Sequence, residues 1–600
     1  MRNILIIMLL GALGAAAPIL EAAPARRNAR SATAPPPQVF RAIYPRAPLS
    51  LDPHADPDPA AWPVIMAAYD RLMTLAPGTT EPRPALVKAW TVSDNGLIYT
   101  FVLQEGRTFA DGSQVNAEAA LYSFDRLMST DTGRRFFPCL SSFERVGELT
   151  FRLILNRPWP PFLASLALPQ ASLVSPGLRN QPPDFLFART LGSGRYQVYG
   201  WKDSTLGLQA RPDLAAKPLV GLALFHYEPD PRERYRKMIT HRAHLTVAPD
   251  GGEASWPAPF LARLAPTFSV RFLALNTRRP YIRLSQVRRA LSAIIQAAFE
   301  GRPGQLGGPF PNGLFYNSPG RAEAPGVDQA DPLRQGALVL NQVGPPVLPL
   351  VLIYQDQAPD LAEDARTIQR VLAAHGLAVD LQPLAEAQWR RARDNGQYDL
   401  LLDTRTPEIP TADLWLGRFL SSISSPEGNP AFFEHQGADR LLDELAQTVT
   451  ANPDDSRTLA QRRLADRRAQ ILADLSRLAA SEAPYVFLYQ LEQMLVLDER
   501  LDQPVRSQEG NLTTHPLWPD VWPLGLTNLR PLTARRSGVN PTGRLEISGD
   551  PGAGAQPESA SRPQAGPEDR EPEPETPAAG PEDPDDFPDD FDDFLGEEWP

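Results

Sequence analysis

Residues 350–402 decide the fold class, and they read LVLIYQDQAPDLAEDARTIQRVLAAHGLAVDLQPLAEAQWRRARDNGQYDLLL. Three short apolar runs have the length and composition of strands, namely Leu350–Tyr354, Leu377–Leu381 and Tyr398–Leu402. The segments between them, Leu361–His375 and Glu386–Arg393, have the apolar spacing of amphipathic helices. Strands that alternate with helices at this distance predict βαβ units and a mainly parallel sheet. The sequence therefore predicts an α/β fold.

The segments before this stretch add elements to the same architecture. We predict a short helical turn at Leu86–Trp90, a strand at Leu97–Leu103 and a strand at Thr150–Asn156. Asn116 precedes an apolar run with helical spacing, which indicates a capped helix that begins after it. Two strands with a helix between them therefore precede residue 160.

Further elements are predicted from Val270 onward. They are a strand at Val270–Asn276, helices at Leu284–Phe299, Ala438–Thr450 and Arg457–Ala480, and a strand at Tyr485–Tyr489. We expect the last strand to return to the first half of the fold. A chain of 600 residues also exceeds the roughly 250–300 residues that one hydrophobic core supports, so we expect two lobes.

The net charge of −12 is unevenly distributed along the chain. Residues 541–600 contain 18 acidic and 3 basic residues, a net charge of −15, so the rest of the chain carries +3. A nearly neutral body does not indicate nucleic-acid binding.

The two ends of the chain differ in composition from its body. Residues 1–25 combine Arg2, the apolar run Ile4–Leu10 and small residues before Arg26, which is typical of a cleaved secretory signal. We therefore predict export to the periplasm and a mature protein that does not span the membrane. Residues 26–38 are predicted to be a flexible leader, and residues 536–600, rich in Pro and Glu, a disordered acidic tail.

No motif in the sequence indicates catalysis. The chain has no phosphate-binding loop and no Gly-x-Ser-x-Gly nucleophile elbow. Cys139 is the only cysteine, and the pair His241 and His244 offers too few ligands for a metal site. We therefore predict a binding protein that is not an enzyme, holds no metal and no cofactor, and takes its ligand in a crevice between lobes.

A series of short motifs then identifies a family. The motifs are Leu51-Asp52-Pro53-His54, Tyr69-Asp70-Arg71-Leu72, Ala89-Trp90-Thr91-Val92-Ser93-Asp94, Asp111-Gly112, Ser123-Phe124, Leu191-Gly192-Ser193-Gly194, Leu273-Ala274-Leu275-Asn276, Tyr398-Asp399, Ala438-Asp439 and Ala483-Pro484-Tyr485. In order and spacing they resemble the extracellular solute-binding proteins of family 5, the oligopeptide- and dipeptide-binding components of ABC importers. The resemblance covers residues 39–526.

This resemblance implies a two-lobed periplasmic-binding-protein fold of type II, in its large peptide-binding subclass. Residues 39–275 and the return segment 485–535 would form the first lobe, and residues 276–484 the second. We place the hinge at Asn276 and Pro484.

The resemblance also indicates a ligand site in the loop after Tyr398-Asp399. Peptide-binding members commonly carry a Trp-x-x-Asp-Tyr-x-Asp-Pro-like sequence there, and its acid pairs with the α-amino group of the peptide. Here Glu408 is nearest to the expected acid, and Arg405, near the usual tryptophan, is suited to clamp a carboxylate or phosphate. The alternative for both is a solvent-facing loop charge. The candidate ligand-binding residues are Glu408, Arg405, Asp413, Trp415 and Tyr44.

The function that the resemblance implies is a monomeric periplasmic receptor. Such a receptor captures a peptide between hinged lobes and delivers it to a membrane permease and its ATPase. Two alternatives stay open: a different solute, such as an oligosaccharide, an opine or a chelated metal, and a degenerate binding fold that acts in the envelope through its acidic tail.

Overall fold

The computed structural model describes residues 39–55, 58–75, 82–182, 185–214, 221–240, 243–247, 256–306, 308–311, 332–424, 427–448 and 459–498, with the short segments 505–506, 512–513 and 530–531. The predicted signal segment, leader and acidic tail lie outside the described residues. Within the described part, no helix combines the length and the apolar character that a membrane span requires.

The described elements are numbered in chain order. The strands are β1 (Val39–Tyr44), β2 (Met73–Leu75), β3 (Pro82–Pro84), β4 (Val87–Val92), β5 (Ile98–Leu103), β6 (Leu140–Arg145), β7 (Thr150–Leu155), β8 (Tyr196–Lys202), β9 (Thr205–Ala210), β10 (Leu222–Tyr227), β11 (Leu245–Val247), β12 (Phe260–Leu275), β13 (Leu350–Gln355), β14 (Val379–Leu384), β15 (Leu400–Arg405), β16 (Tyr485–Asp498), β17 (Val505–Arg506), β18 (Leu512–Thr513) and β19 (Arg530–Pro531). The helices are α1 (Trp62–Ala68), α2 (Ala117–Met128), α3 (Asp131–Phe136), α4 (Phe162–Ser165), α5 (Phe185–Ala188), α6 (Pro231–Thr240), α7 (Ser285–Ala298), α8 (Pro332–Val343), α9 (Pro359–Ala374), α10 (Glu386–Asp394), α11 (Ala412–Leu420), α12 (Gln436–Ala446) and α13 (Leu459–Glu482).

The predicted alternation of strands and helices is confirmed. Strand β13 pairs in parallel with both β14 and β15, and helices α9 and α10 make the connections. Side chains of β15 enter cores on both faces of the sheet, with Leu401 on one face and Leu400 and Leu402 on the other. Burial on both faces explains why these strands read as continuous apolar runs.

One large sheet joins the two halves of the chain. Its order is β14-β13-β15-β12-β16-β11-β1-β10-β9-β8. The long strands β12 and β16 form an antiparallel pair at its centre, with β15 beside β12 and β11 beside β16. We call the part built on β1, β4–β11 and α1–α6 the first lobe, and the part built on β13–β15 and α7–α13 the second lobe. The predicted two-lobed α/β architecture is therefore confirmed.

A second, antiparallel sheet of order β4-β5-β7-β6 belongs to the first lobe. Its core is aromatic: the ring centroids of Phe101 and Phe151 lie 5.6 Å apart, and those of Tyr99 and Phe162 lie 4.6 Å apart. Helix α2 covers this core. Asn116 caps the N-terminus of α2 by accepting a hydrogen bond from the backbone N–H of Ala119, as the sequence predicts.

The prediction of a helical turn at Leu86–Trp90 is wrong, because these residues enter strand β4. Strand β4 pairs with β5, and the register shifts between Val87 and Ala89. This irregularity places two consecutive exposed residues between the buried Val87 and Trp90. Buried positions three residues apart imitate the spacing of a helix, which explains the wrong prediction.

Candidate functional site

Two sets of parallel strands direct their carboxyl ends toward one region, which we call the junction (residues 266–270, 406–410 and 490–493). In the second lobe, Arg405 at the end of β15 pairs with Val270. In the first lobe, Val247 at the end of β11 pairs with Leu495. Ligands of open α/β sheets bind outside the carboxyl ends of the strands. The junction, where β12 and β16 pass between the lobes, is therefore the candidate site.

Glu408 links the two lobes at the junction. Its carboxylate accepts two hydrogen bonds from Arg135 of α3 in the first lobe, from Nε at 2.9 Å and from Nη2 at 2.5 Å. Arg418 of α11 in the second lobe donates from Nη2 at 3.3 Å to Oε1 of Glu408, the oxygen that also accepts from Nη2 of Arg135. One acidic side chain thus lies between two guanidinium groups, one from each lobe.

The electrostatics of Glu408 follow from this arrangement. Partial burial raises the pKa of the Glu408 carboxyl, but the hydrogen bonds and charges of Arg135 and Arg418 outweigh burial and hold the pKa below its usual value. Glu408 is therefore ionised at neutral pH.

An apolar contact between the lobes lies next to this ion pair. Ile409 belongs to the second-lobe loop, yet it is 6% exposed and buried in the aromatic core of the first lobe. Leu414 of α11 packs against the same core. The described conformation therefore has the lobes in contact at one side of the junction.

Hydroxyl groups supply a further polar contact here. The hydroxyls of Ser269 in β12 and Thr406 after β15 lie 2.6 Å apart and are exposed. Both groups donate and accept hydrogen bonds, so they suit the backbone polar atoms of an extended ligand.

Arg405 lies in the core of the second lobe. It donates from Nη1 to the carbonyl oxygen of Gly428 at 2.8 Å and from Nη2 to that of Glu427. Its guanidinium stacks over Phe272 and Phe419, with distances of 5.6 and 5.2 Å to the ring centroids. These contacts favour a structural role, and the predicted carboxylate clamp stays a prediction.

Asp413 and Trp415 begin α11 and also point into the second lobe. Asp413 forms an ion pair with Arg468 of α13. Trp415 is 1% exposed, packs against Phe419 and donates from Nε1 to the carbonyl oxygen of Pro309 at 2.5 Å. Ligand-binding roles for Asp413 and Trp415 stay predictions, and these positions favour packing.

Tyr44 ends β1 at the junction side of the first lobe, but its ring is buried. It lies edge-on to Phe225, with centroids 5.5 Å apart, and beside Tyr227 at 6.4 Å. Burial raises the pKa of its hydroxyl far above the ordinary value. The side chain of Tyr44 stabilises the first-lobe core, and its predicted ligand-binding role stays a prediction.

The predicted hinge residues Asn276 and Pro484 lie away from the junction, at the second-lobe end of the paired strands β12 and β16. The Asn276 amide donates to the carbonyl oxygens of Gly396 and Tyr398 at 3.2 and 2.9 Å, both within the second lobe. The backbone of Leu275 donates to the carbonyl oxygen of Pro484 at 2.9 Å. The hinge assignment of Asn276 and Pro484 stays a prediction, and their contacts anchor them inside one lobe.

Sequence reasoning missed Arg135 and Arg418. Arg135 is separated from Glu408 by 273 residues, so no local pattern connects them. Arg418 carries one signal: it lies four residues after Leu414 on an amphipathic helix, and residues at this spacing share a face. Among the described residues, no group of three or more His, Cys, Asp or Glu side chains is placed to hold a metal ion.

Comparisons with known proteins agree with this architecture. Residues 81–426 match the bacterial extracellular solute-binding proteins, family 5 Middle. The probable D,D-dipeptide-binding periplasmic protein DdpA of Escherichia coli is 26% identical over 506 residues, which cover 78% of this chain and 92% of DdpA. Di/tripeptide-binding protein 2 of Pseudomonas aeruginosa is 26% identical over 431 residues, 65% of this chain and 80% of that protein.

A solved structure shows the same fold. HbpA2 from Haemophilus parasuis superposes with a TM-score of 0.66 at 20% identity, covering 80% of this chain and 99% of HbpA2. The family match is consistent with the two lobes and with the central strands β12 and β16, which run through both of them. The chain belongs to the bacterial extracellular solute-binding proteins, family 5.

Proposed function

We propose that this protein is a receptor that captures short peptides at the junction and delivers them to an ABC importer. The observation that carries the proposal is the Arg135–Glu408 ion pair, which joins the lobes where the carboxyl ends of both strand sets meet. Relatives named for dipeptides and tripeptides cover most of the chain and support peptides as the ligand class.

Capture requires that the lobes move relative to each other. Strands β12 and β16 cross between the lobes, and their register is interrupted between Pro266 and Val270. The interrupted ladder has fewer backbone hydrogen bonds to resist bending, and side-chain hydrogen bonds from Thr267 to Leu491 and from Gln490 to Thr267 cross the interruption. We propose residues 266–270 and 490–493 as a bending point in addition to the hinge predicted at Asn276 and Pro484. A ligand that contacts both lobes shifts the population toward the closed state.

The binding step leaves the ligand unchanged. The polar groups at the junction include the guanidinium, carboxylate and hydroxyl groups of Arg135, Glu408, Arg418, Ser269 and Thr406. These groups bind and orient a ligand, which suits a receptor that is not an enzyme. We also propose that the protein works in the periplasm as a monomer. A membrane permease and its ATPase would read the closed form and carry the peptide inward.

Native mass spectrometry of protein recovered from the periplasm tests this function. A protein that retains its ligand is expected to show adducts with short-peptide masses, and fragmentation identifies them. Adding a pool of dipeptides and tripeptides to the unfolded and refolded protein is expected to restore the adducts, whereas a matched pool of free amino acids is not. A mass that stays that of the bare chain with every peptide pool contradicts the proposal.

A further inference from the structure

A basic surface lies at the second-lobe end of β12, away from the junction. The stretch from Asn276 to Ala290 contains five arginines and no acidic residue. Four of these arginines are exposed or partly exposed, and an exposed leucine lies among them. We call this surface the arginine face: Arg278, Arg279, Arg283, Leu284 and Arg289. We propose that the C-terminal end of the same chain, residues 585–600, docks on the arginine face. This contact is independent of any ligand at the junction.

Hydrogen bonds hold the arginine face together as one surface. The backbone N–H of Arg283 donates to the carbonyl oxygen of Arg279 at 2.8 Å, so both residues lie in the turn before α7. The buried Arg288 of α7 donates from Nη1 to the carbonyl oxygen of Arg283 at 2.8 Å. It also donates from Nε to the carbonyl oxygen of Glu482 at 2.7 Å. The turn, the start of α7 and the end of α13 therefore form one continuous surface.

Positive charge exceeds negative charge on this surface. Among the described residues, the acids that pair with the five arginines are Glu434, Asp399 and Glu482. The end of α10, which accepts a hydrogen bond from Asn276 at Gly396, adds Arg391 and the balanced pair of Arg393 with Asp394. The described charges around the arginine face are thus net positive.

Two of the arginines are open to a further partner. Arg283 is exposed, and within the described part of the chain its guanidinium pairs with no side chain. Arg278 contacts Glu434 at 3.4 Å, but the two side chains are 63% and 68% exposed, so this ion pair contributes little. The Arg278 guanidinium also lies 4.4 Å from the centroid of the Phe432 ring, which fixes its position. Carboxylates of a docking segment are therefore able to reach both arginines.

The last sixteen residues of the chain have the complementary chemistry. Residues 585–600 contain eight acidic residues and no basic residue, whereas the three basic residues of 541–600 all come before them. Aromatic residues alternate with these acids: Phe587, Phe591, Phe594 and Trp599. Carboxylates form charge-assisted hydrogen bonds with guanidinium groups, and aromatic rings stack on guanidinium planes. One segment thus offers both kinds of partner that the arginine face accepts.

The length of the intervening chain fits the distance to be covered. Strand β19 pairs with β12 at Arg263 and Leu264, so the tail leaves the fold beside these residues. Twelve residues of β12 separate Leu264 from Asn276, which is at most about 40 Å at the rise of a strand. The 53 residues 532–584, as the flexible chain that their composition predicts, span on average about 40 Å or more. A linker whose length fits the span favours contact within the chain over contact between chains.

Crosslinking of the full chain tests this contact. Arg283→Lys keeps the charge and supplies an amine, which a carbodiimide joins as an amide to any carboxylate in contact with it. We expect residues 585–600 to be linked to position 283, with a yield several-fold above that of Arg232→Lys. This matched control changes an exposed arginine on α6 of the first lobe. Added salt is expected to lower the yield to the control level, because it screens contacts between exposed charges.

Three outcomes would overturn the inference. The first is a yield no higher than that of Arg232→Lys. The second is a set of links spread evenly over the acids of residues 541–600, which would mean general charge attraction rather than docking of the end. The third is seen by mixing ¹⁵N-labelled and unlabelled protein: links mainly between chains would assign the arginine face to a second copy.

A further variant tests the surface itself. Adding Arg278→Gln to Arg283→Lys is expected to lower the yield of links to residues 585–600, because one of the two open guanidinium groups is lost. Thermal melting of each variant shows whether it is folded. An unchanged yield in a folded variant would mean that Arg278 takes no part and that the arginine face is not the docking surface.

Discussion

Two carboxylates five residues apart illustrate the difference between the second-lobe sheet and the junction. Asp403 lies in β15, and burial raises its pKa to about 6 even though Arg405 opposes the shift. Glu408 lies in the following loop, where burial also acts, but Arg135 and Arg418 lower its pKa below the usual value. The comparison shows that the segment from β15 to α11 has two roles. Residues up to Arg405 and from Asp413 onward stabilise the second lobe, while Glu408 in the loop between them connects the two lobes.

The largest expected effect concerns the second-lobe core. Trp415→Ala is expected to lower the free energy of unfolding by about 3–5 kcal/mol, because it removes a fully buried ring and leaves a cavity. Urea unfolding measures this loss, and Trp415→Phe is expected to lose less. If Trp415→Ala instead keeps its stability and loses only ligand affinity, Trp415 belongs to the site after all.

The next effect concerns the sign of the pH dependence at Asp403. Its folded pKa of about 6 lies above the ordinary 3.8, so the unfolded chain ionises first and stability falls as the pH rises between these values. The shift sets an upper limit of about 3 kcal/mol, which partial exposure reduces to about 1–2 kcal/mol. Asp403→Asn is therefore expected to gain this stability at pH 7.5 and nothing at pH 3.5. Equal gains at both pH values would contradict a raised pKa.

A smaller effect is expected for the ion pair at the junction. Arg135 and Glu408 are 54% and 31% exposed. A double-mutant cycle with Arg135→Gln and Glu408→Gln, measured as free energies of unfolding in urea, is therefore expected to give a coupling energy of about 0.5–1 kcal/mol. Added salt should reduce it. The neighbouring Arg134, which pairs with Asp131, provides the control: Arg134→Gln and Glu408→Gln are expected to be additive. A zero coupling for Arg135 would mean that this pair does not join the lobes.

The smallest effect is the pH dependence of the contact between the lobes. Because the folded pKa of Glu408 is lowered, the contribution of its charge is complete above the ordinary value of 4.5 and is lost as the pH falls below it. Dyes attached through Glu105→Cys in the first lobe and Glu386→Cys in the second, both exposed positions, report the separation by energy transfer. The wild type is expected to open in acid, and the same labelled protein with Glu408→Gln to lack this step.

Much of the fold could be predicted because its signals are local. The apolar runs from Leu350 to Leu402 and the cap at Asn116 each act within a few residues. Strand β12 begins ten residues before the predicted Val270, because Phe260–Pro266 is held by pairing with the distant β16 rather than by its own composition. The local sequence does not indicate such a distant pairing strand.

The contacts at the candidate site could be predicted only in part for the same reason. Glu408 could be named from the loop in which it occurs, but Arg135 reaches it from the other lobe. Sequence also does not tell which way Arg405 points at the end of β15, and the structure turns it toward Phe272 and Phe419. Long-range pairing and side-chain direction are thus what the sequence leaves open.

The central claim is that Arg135 and Glu408 join the lobes where the ligand binds. The most direct test is energy transfer between the same two labelled positions at pH 7.5, because Cys139 is buried and does not compete for the dyes. Arg135→Gln is expected to shift the ligand-free protein toward longer separations, while Arg134→Gln stays at the wild-type value. If Arg135→Gln keeps the wild-type separation, the ion pair does not hold the lobes together, and the claim is contradicted.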